Sequence, residues 1–92
     1  MFIIVTYDIT DDRSRNKLYE TLKDYGTSVQ YSVFECNLNK KQFLEMKEKS
    51  GSFVQDEKDS IRYYLLPRRE KMKIIVEGKD KTPNENSIYI IG

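Results

Sequence analysis

The chain has 92 residues, enough for one domain that buries roughly 60–65% of its unfolded surface and therefore has a marginal core. Sixteen basic and fifteen acidic residues nearly cancel, so only local clustering, not global charge, can mark a nucleic-acid binder. The lack of His excludes imidazole catalysis and imidazole metal ligands, and the single Cys excludes an intramolecular disulfide and fits a reducing, cytoplasmic setting.

Phe2 to Ile9 reads as the first strand, because four apolar residues run together, Phe2 to Val5, and three of those four are β-branched. Phe2, Ile4, Thr6 and Asp8 alternate onto one face, and Ile3, Val5, Tyr7 and Ile9 onto the other. Both faces begin apolar and both need cover. A chain this short supplies one layer of helices, so a homodimer is expected to supply the rest. The N-terminus enters this strand without a basic leader, and no apolar run approaches the roughly 20 residues of a bilayer span, so neither a signal peptide nor a membrane anchor is expected.

Thr10-Asp11-Asp12 offers capping oxygens and negative charge for a helix running to about Tyr25. Leu18, Leu22 and Tyr25 form its buried stripe, and one turn back the stripe reaches Arg15. Arg15 is thus expected on the inward side, at the end nearest Asp8. Gly26 is expected as the left-handed C-cap. Thr27 to Gln30 and Tyr31 to Leu38 read as two strands with a break near Gln30-Tyr31; no Gly, Pro or Asn-Gly marks that turn, and one long bent strand is the competing reading.

Asn39 and Gln42 have the spacing of a capping box, and Leu38 and Phe43 that of a hydrophobic staple. The second helix turns Phe43 and Met46 inward and ends at Ser50-Gly51-Ser52, after which Phe53-Val54 anchors a solvated loop over Gln55 to Asp59. Ser60 to Leu66 is a strand stopped by Pro67, Lys73 to Glu77 a further strand closed by Gly78, and Lys79 to Asn86 an exposed loop. Ser87 to Ile91 is a last β segment expected to dock as an edge strand on its own sheet or a partner's. The order predicts an α+β fold: a ferredoxin-like βαββαβ sandwich over residues 1–78, with residues 79–92 as a loop and edge-strand extension. Both helices then lie on one sheet face and the other is left open.

Asp8 is the first candidate for chemistry. A carboxylate ending a core strand can hold Mg2+, which keeps several waters and needs only one or two protein carboxylates. A two-fold interface would bring a second copy of it close. The competing reading is an Asp that only orders the strand-to-helix turn. Asp11 and Asp12 could join a metal site, but complementing the helix dipole explains them well. Arg13, Arg15 and Lys17 offer phosphate contacts, or else a solvated helix face balanced by Asp11, Asp12 and Glu20. From Arg62 to Lys73, Arg62, Arg68, Arg69, Lys71 and Lys73 stand against Glu70 alone, beside Tyr63 and Tyr64: a phosphate-backbone patch or an ordinary polar connection. No P-loop, Rossmann glycine signature, zinc spacing or Ser-His-Asp set is present.

Val5-Thr6-Tyr7-Asp8-Ile9, a polar and basic helix, Gly26, and Val29-Gln30-Tyr31-Ser32-Val33-Phe34-Glu35 together resemble the CRISPR-associated Cas-two family. The resemblance is close through Leu38 and continues in layout to Leu66. It implies a ferredoxin-like homodimer serving antiviral defence in the acquisition of new spacers, bridged by the Cas-one integrase around a duplex DNA protospacer. It also implies, for some members, a metal-dependent endonuclease acting on single-stranded RNA or duplex DNA. On this resemblance Asp8 is the Mg2+ ligand and a catalytic residue with Tyr7, Arg15 and Phe34; Lys17 takes the next basic position of the helix. With Arg13, Arg68 and Arg69 from the basic stretches, Lys17 is expected to bind nucleic acid. One departure is Ser28, which stands where some members carry a basic residue before Val-Gln-Tyr.

Overall fold

The structure is a computed structural model that describes residues 1–66, 72–75 and 88–91. Strand β1 (Phe2–Asp8) leads into helix α1 (Asp12–Lys23), then β2 (Gly26–Gln30), β3 (Val33–Asn37), α2 (Lys40–Gly51) and β4 (Ser60–Leu66). The four strands form one antiparallel sheet in the order β2-β3-β1-β4, the ferredoxin-like arrangement expected. β1 lies inside the sheet, paired with β3 (Val5 opposite Phe34) and with β4 over its whole length, from Phe2–Leu66 to Asp8–Ser60.

The alternation of β1 sorts the core. Ile3, Val5, Tyr7 and Ile9 are buried with Leu18 and Leu22 of α1, Met46 of α2, and Phe34 and Cys36 of β3, so both helices cover this face. Each fully buried Ile, Leu, Phe or Met here contributes about 1.5–3 kcal/mol relative to exposure. The other face is not bare, contrary to expectation. Phe2, Ile4 and Leu66 form a second buried cluster there, with Val33 packed against it. Its Asp8 end is open, with Thr6 half-buried and Asp8 exposed, and on β4 Tyr64, opposite Ile4, is exposed as well. A bare apolar face is therefore no longer the argument for a dimer.

Local signals set the helix starts. Asp11 caps α1, its carboxylate accepting from the Ser14 N–H at 2.8 Å. Asn39 and Gln42 exchange both bonds of the capping box at 2.8 and 2.9 Å. The end of α1 differs from expectation. The helix stops at Lys23, with Asp24 as a right-handed C-cap, and Gly26 opens β2. A Cβ on Gly26 would lie 2.2 Å from the Glu35 carbonyl oxygen and 2.5 Å from Cys36 Sγ. Close packing against β3, not a left-handed turn, requires glycine there.

The β2–β3 turn falls at Tyr31-Ser32, which removes the bent-strand reading. Ser32 takes the left-handed conformation that a glycine would otherwise supply, with φ at 62°. After Leu66, β5 (Met72–Ile75) and β6 (Ile88–Ile91) pair antiparallel with each other in a separate two-stranded sheet, so β6 does not extend the four-stranded one. The expected Pro67 stop, Gly78 closure and Lys79 to Asn86 loop lie outside the described residues, as do Arg68 and Arg69.

Candidate functional site

The C-terminal end of β1 presents two different surfaces. Tyr7 points to the helix side and is buried. Its backbone N–H donates to the Ser32 carbonyl at 3.1 Å. Burial, above the other influences, raises the Tyr7 phenol from its ordinary value, so at neutral pH it is an O–H donor and not a base. Phe34 is fully buried beneath it, with ring centroids 6.4 Å apart, and meets Tyr19 edge-on at 5.4 Å. Phe34 therefore seats the two tyrosines from within the core.

Arg15 lies where the helical stripe placed it. Its Nη1 donates to the Ile9 carbonyl at 3.2 Å, and its Nη2 pairs with the Asp12 carboxylate. The Asp12 bond is the largest influence raising Arg15 from its ordinary value, so it stays cationic. Tyr7, Arg15, Tyr19, Ser28, Tyr31 and Ser32 line a pocket of about 440 Å³ at this rim. Tyr31 is its most exposed aromatic wall, at 78%.

Arg13 and Lys17 do not join this pocket. They lie one turn apart on another side of α1, and with Asn16 and Phe53 line a separate concavity of about 650 Å³. The basic start of the helix is thus split: Arg15 with the rim tyrosines, Arg13 and Lys17 toward the α2–β4 connection. Cys36 contributes no nucleophile, because burial pushes its thiol up to about 11.

Asp8 is exposed and points to the face opposite Tyr7. Across the β1–β4 ladder it faces Ser60, and Thr6 faces Arg62, so a carboxylate, two hydroxyls and a guanidinium share one open patch. Among the described residues no group of three or more His, Cys, Asp or Glu gathers to hold a metal. One exposed carboxylate fits a hydrated Mg2+ ion, and a second copy of the chain related by a two-fold axis would supply another.

Asp59, expected in a solvated loop, is buried and holds this end of the sheet together. Its Oδ1 accepts from the Thr10 N–H and hydroxyl at 2.9 and 3.0 Å, and its Oδ2 from the Gln55 and Asp56 N–H groups at 3.1 and 3.0 Å. Those donors, Thr10 N–H foremost, lower its carboxyl from 3.8 to about 2. Sequence reasoning missed Asp59 and Tyr31. An Asp immediately before a strand is a weak signal, and the Thr10 partner is 49 residues away.

Residues 1–74 match the family model described as CRISPR associated protein Cas2. The chain is similar to the "CRISPR-associated endoribonuclease Cas2 3" of Synechocystis sp., 41% identical over 80 residues, covering 86% of this chain and 87% of that protein. It is similar in structure to Streptococcus pyogenes Cas2, with a TM-score of 0.68 at 32% identity over 75% of this chain and 89% of that one. A further crystal structure, of cas2, gives a TM-score of 0.79 at 34% identity, covering 92% and 94%. No helix among the described residues is long and apolar enough to cross a membrane. By its residues, its strand order and these likenesses, the chain belongs to the CRISPR-associated Cas2 family.

Proposed function

We propose that this chain acts in CRISPR adaptation as a homodimeric, Mg2+-dependent endonuclease cleaving phosphodiester bonds of single-stranded RNA or duplex DNA. The observation that carries the proposal is the placement of Asp8, an exposed carboxylate ending an interior strand, on the helix-free face beside the Arg62 rung. The endoribonuclease name of the Synechocystis relative supports the reaction class. Asp8 would hold the metal, with its two-fold copy as second ligand. Bound Mg2+ supplies Lewis acidity and an activated water. The chain's own residues do the rest. Arg15, fixed by the Ile9 carbonyl and Asp12, presents positive charge at the rim to a phosphate. Tyr7, neutral and buried, keeps its proton and braces the Ser32 turn, while Phe34 holds Tyr7 in place. Arg13 and Lys17, with Arg68 and Arg69, grip the backbone. The test is Mg2+-dependent cleavage of both substrates by wild type and Asp8→Ala; equal cleavage by the two proteins overturns the assignment.

The lone carboxylate favours a second reading, because no acidic cluster gathers around Asp8 among the described residues. In it the dimer is a non-catalytic scaffold that holds duplex DNA and bridges the Cas-one integrase. Charge reversal at Arg68 and Arg69 then weakens duplex binding at least tenfold, about the effect of losing one or two phosphate contacts, while Asp8→Ala leaves it unchanged. Unaltered affinity in the charge-reversed protein would remove this reading of the patch.

A further inference from the structure

We propose that Asp59 is a positioning residue that sets the orientation of Asp8 by latching the β1–α1 connection to the start of β4. This rests on the reading of Asp8 as the metal-holding residue. The two oxygens of Asp59 accept four hydrogen bonds, two from Thr10 and two from its own loop at Gln55 and Asp56. An ionised carboxylate has about four acceptor sites, so none remains for a metal or a reacting proton. Asp59 is thus no second ligand.

Its position explains what it does instead. Thr10 follows Asp8 by two residues, and Ser60, the cross-strand partner of Asp8, follows Asp59 by one. One carboxylate therefore ties together the two chain segments that carry the Asp8–Ser60 rung, which is the last rung of the β1–β4 ladder. A terminal rung would otherwise fray. Between Asp8 and Thr10, the Ile9 carbonyl accepts from Arg15, so the same latch steadies the anchor of the rim arginine. The hydroxyl and backbone N–H of Thr10 both engage one oxygen, which fixes the connection in direction as well as distance. Misplacement of a site group by about 1 Å costs on the order of a hundredfold in rate, which is the scale on which such a latch matters.

The experiment compares full-length wild type with Asp59→Asn, which replaces two acceptor sites by donors facing N–H groups, and with Thr10→Val, which removes only the hydroxyl bond. Amide hydrogen exchange is read at Asp8 and Thr10 against Leu18 and Leu22. The Mg2+-induced amide shift of Asp8 and the kcat and KM for cleavage are read beside it. We expect Asp59→Asn to exchange at Thr10 at least about tenfold faster while the α1 core stays protected. The Asp8 shift weakens, and kcat falls about tenfold or more with KM for nucleic acid within about twofold. Thr10→Val gives a smaller change of the same kind. Unchanged exchange at Thr10, or an equal loss of protection throughout the core, overturns the latch. Unchanged kcat and Asp8 shift in a variant whose Thr10 is loosened also overturn it. Should Asp59→Asn not fold, Thr10→Val decides by the same comparison. If wild type neither cleaves nor shifts with Mg2+, the metal reading of Asp8 fails, and exchange alone decides the latch.

Discussion

A carboxyl held near 2 by surrounding N–H groups makes stability depend on acid in a defined window. Because the folded value of Asp59 lies below its ordinary 3.8, its contribution is present above about pH 4 and is lost as pH falls toward 2. Thermal melts from pH 5 to pH 2 are expected to show that loss in wild type and a shallower one in Asp59→Asn; parallel curves would contradict it. Phe34 makes a different prediction. Fully buried between Tyr7 and Tyr19, it leaves a cavity when truncated, and Phe34→Ala is expected to cost about 3–5 kcal/mol in urea unfolding. Any activity lost with it then follows the lost seat of Tyr7 and is partly recovered by Phe34→Leu. Arg15 was legible in the sequence because its position follows from helical periodicity alone, whereas Asp59 was not, because its meaning depends on Thr10 across the fold.

Elements differ in how much of their origin is local. The Asn39–Gln42 capping box spans three residues, and it formed as its spacing predicts. The break between β2 and β3 was placed within a residue or two although no turn residue marks it, because strand-forming residues flank it on both sides; Ser32 bears the left-handed backbone instead. Gly26 shows the limit. A glycine after a helix reads equally as a left-handed cap or as a close approach, and only the neighbouring Glu35 carbonyl and Cys36 sulfur decide for the second. Gly26→Ala is accordingly expected to destabilise by about 1–3 kcal/mol, as overpacking does, measured by denaturant midpoint. A neutral effect would show that β2 and β3 shift apart freely.

At the scale of the whole molecule, the order of strands and helices was enough to give the fold, because the two crossovers, β1-α1-β2 and β3-α2-β4, put both helices on one face and leave β1 and β3 side by side in the middle of the sheet. What covers the other face was not legible: Phe2, Ile4 and Leu66 are buried within the chain, while Tyr64 and the Asp8 end stay open. The sheet thereby separates two surfaces at one edge, a tyrosine- and arginine-lined rim on the helix side and the Asp8 patch on the other. If both serve one reaction, the second copy must bring them to one substrate, which makes dimerisation part of the chemistry and not merely of stability. Asp8 is exposed, so its replacement separates function from fold. The most direct measurement follows spacer acquisition in cells and Mg2+-dependent cleavage by purified protein, side by side, for wild type and Asp8→Ala. Asp8→Ala is expected to remain a folded dimer that has lost both; wild-type cleavage and acquisition in Asp8→Ala would contradict the metal-holding role of Asp8.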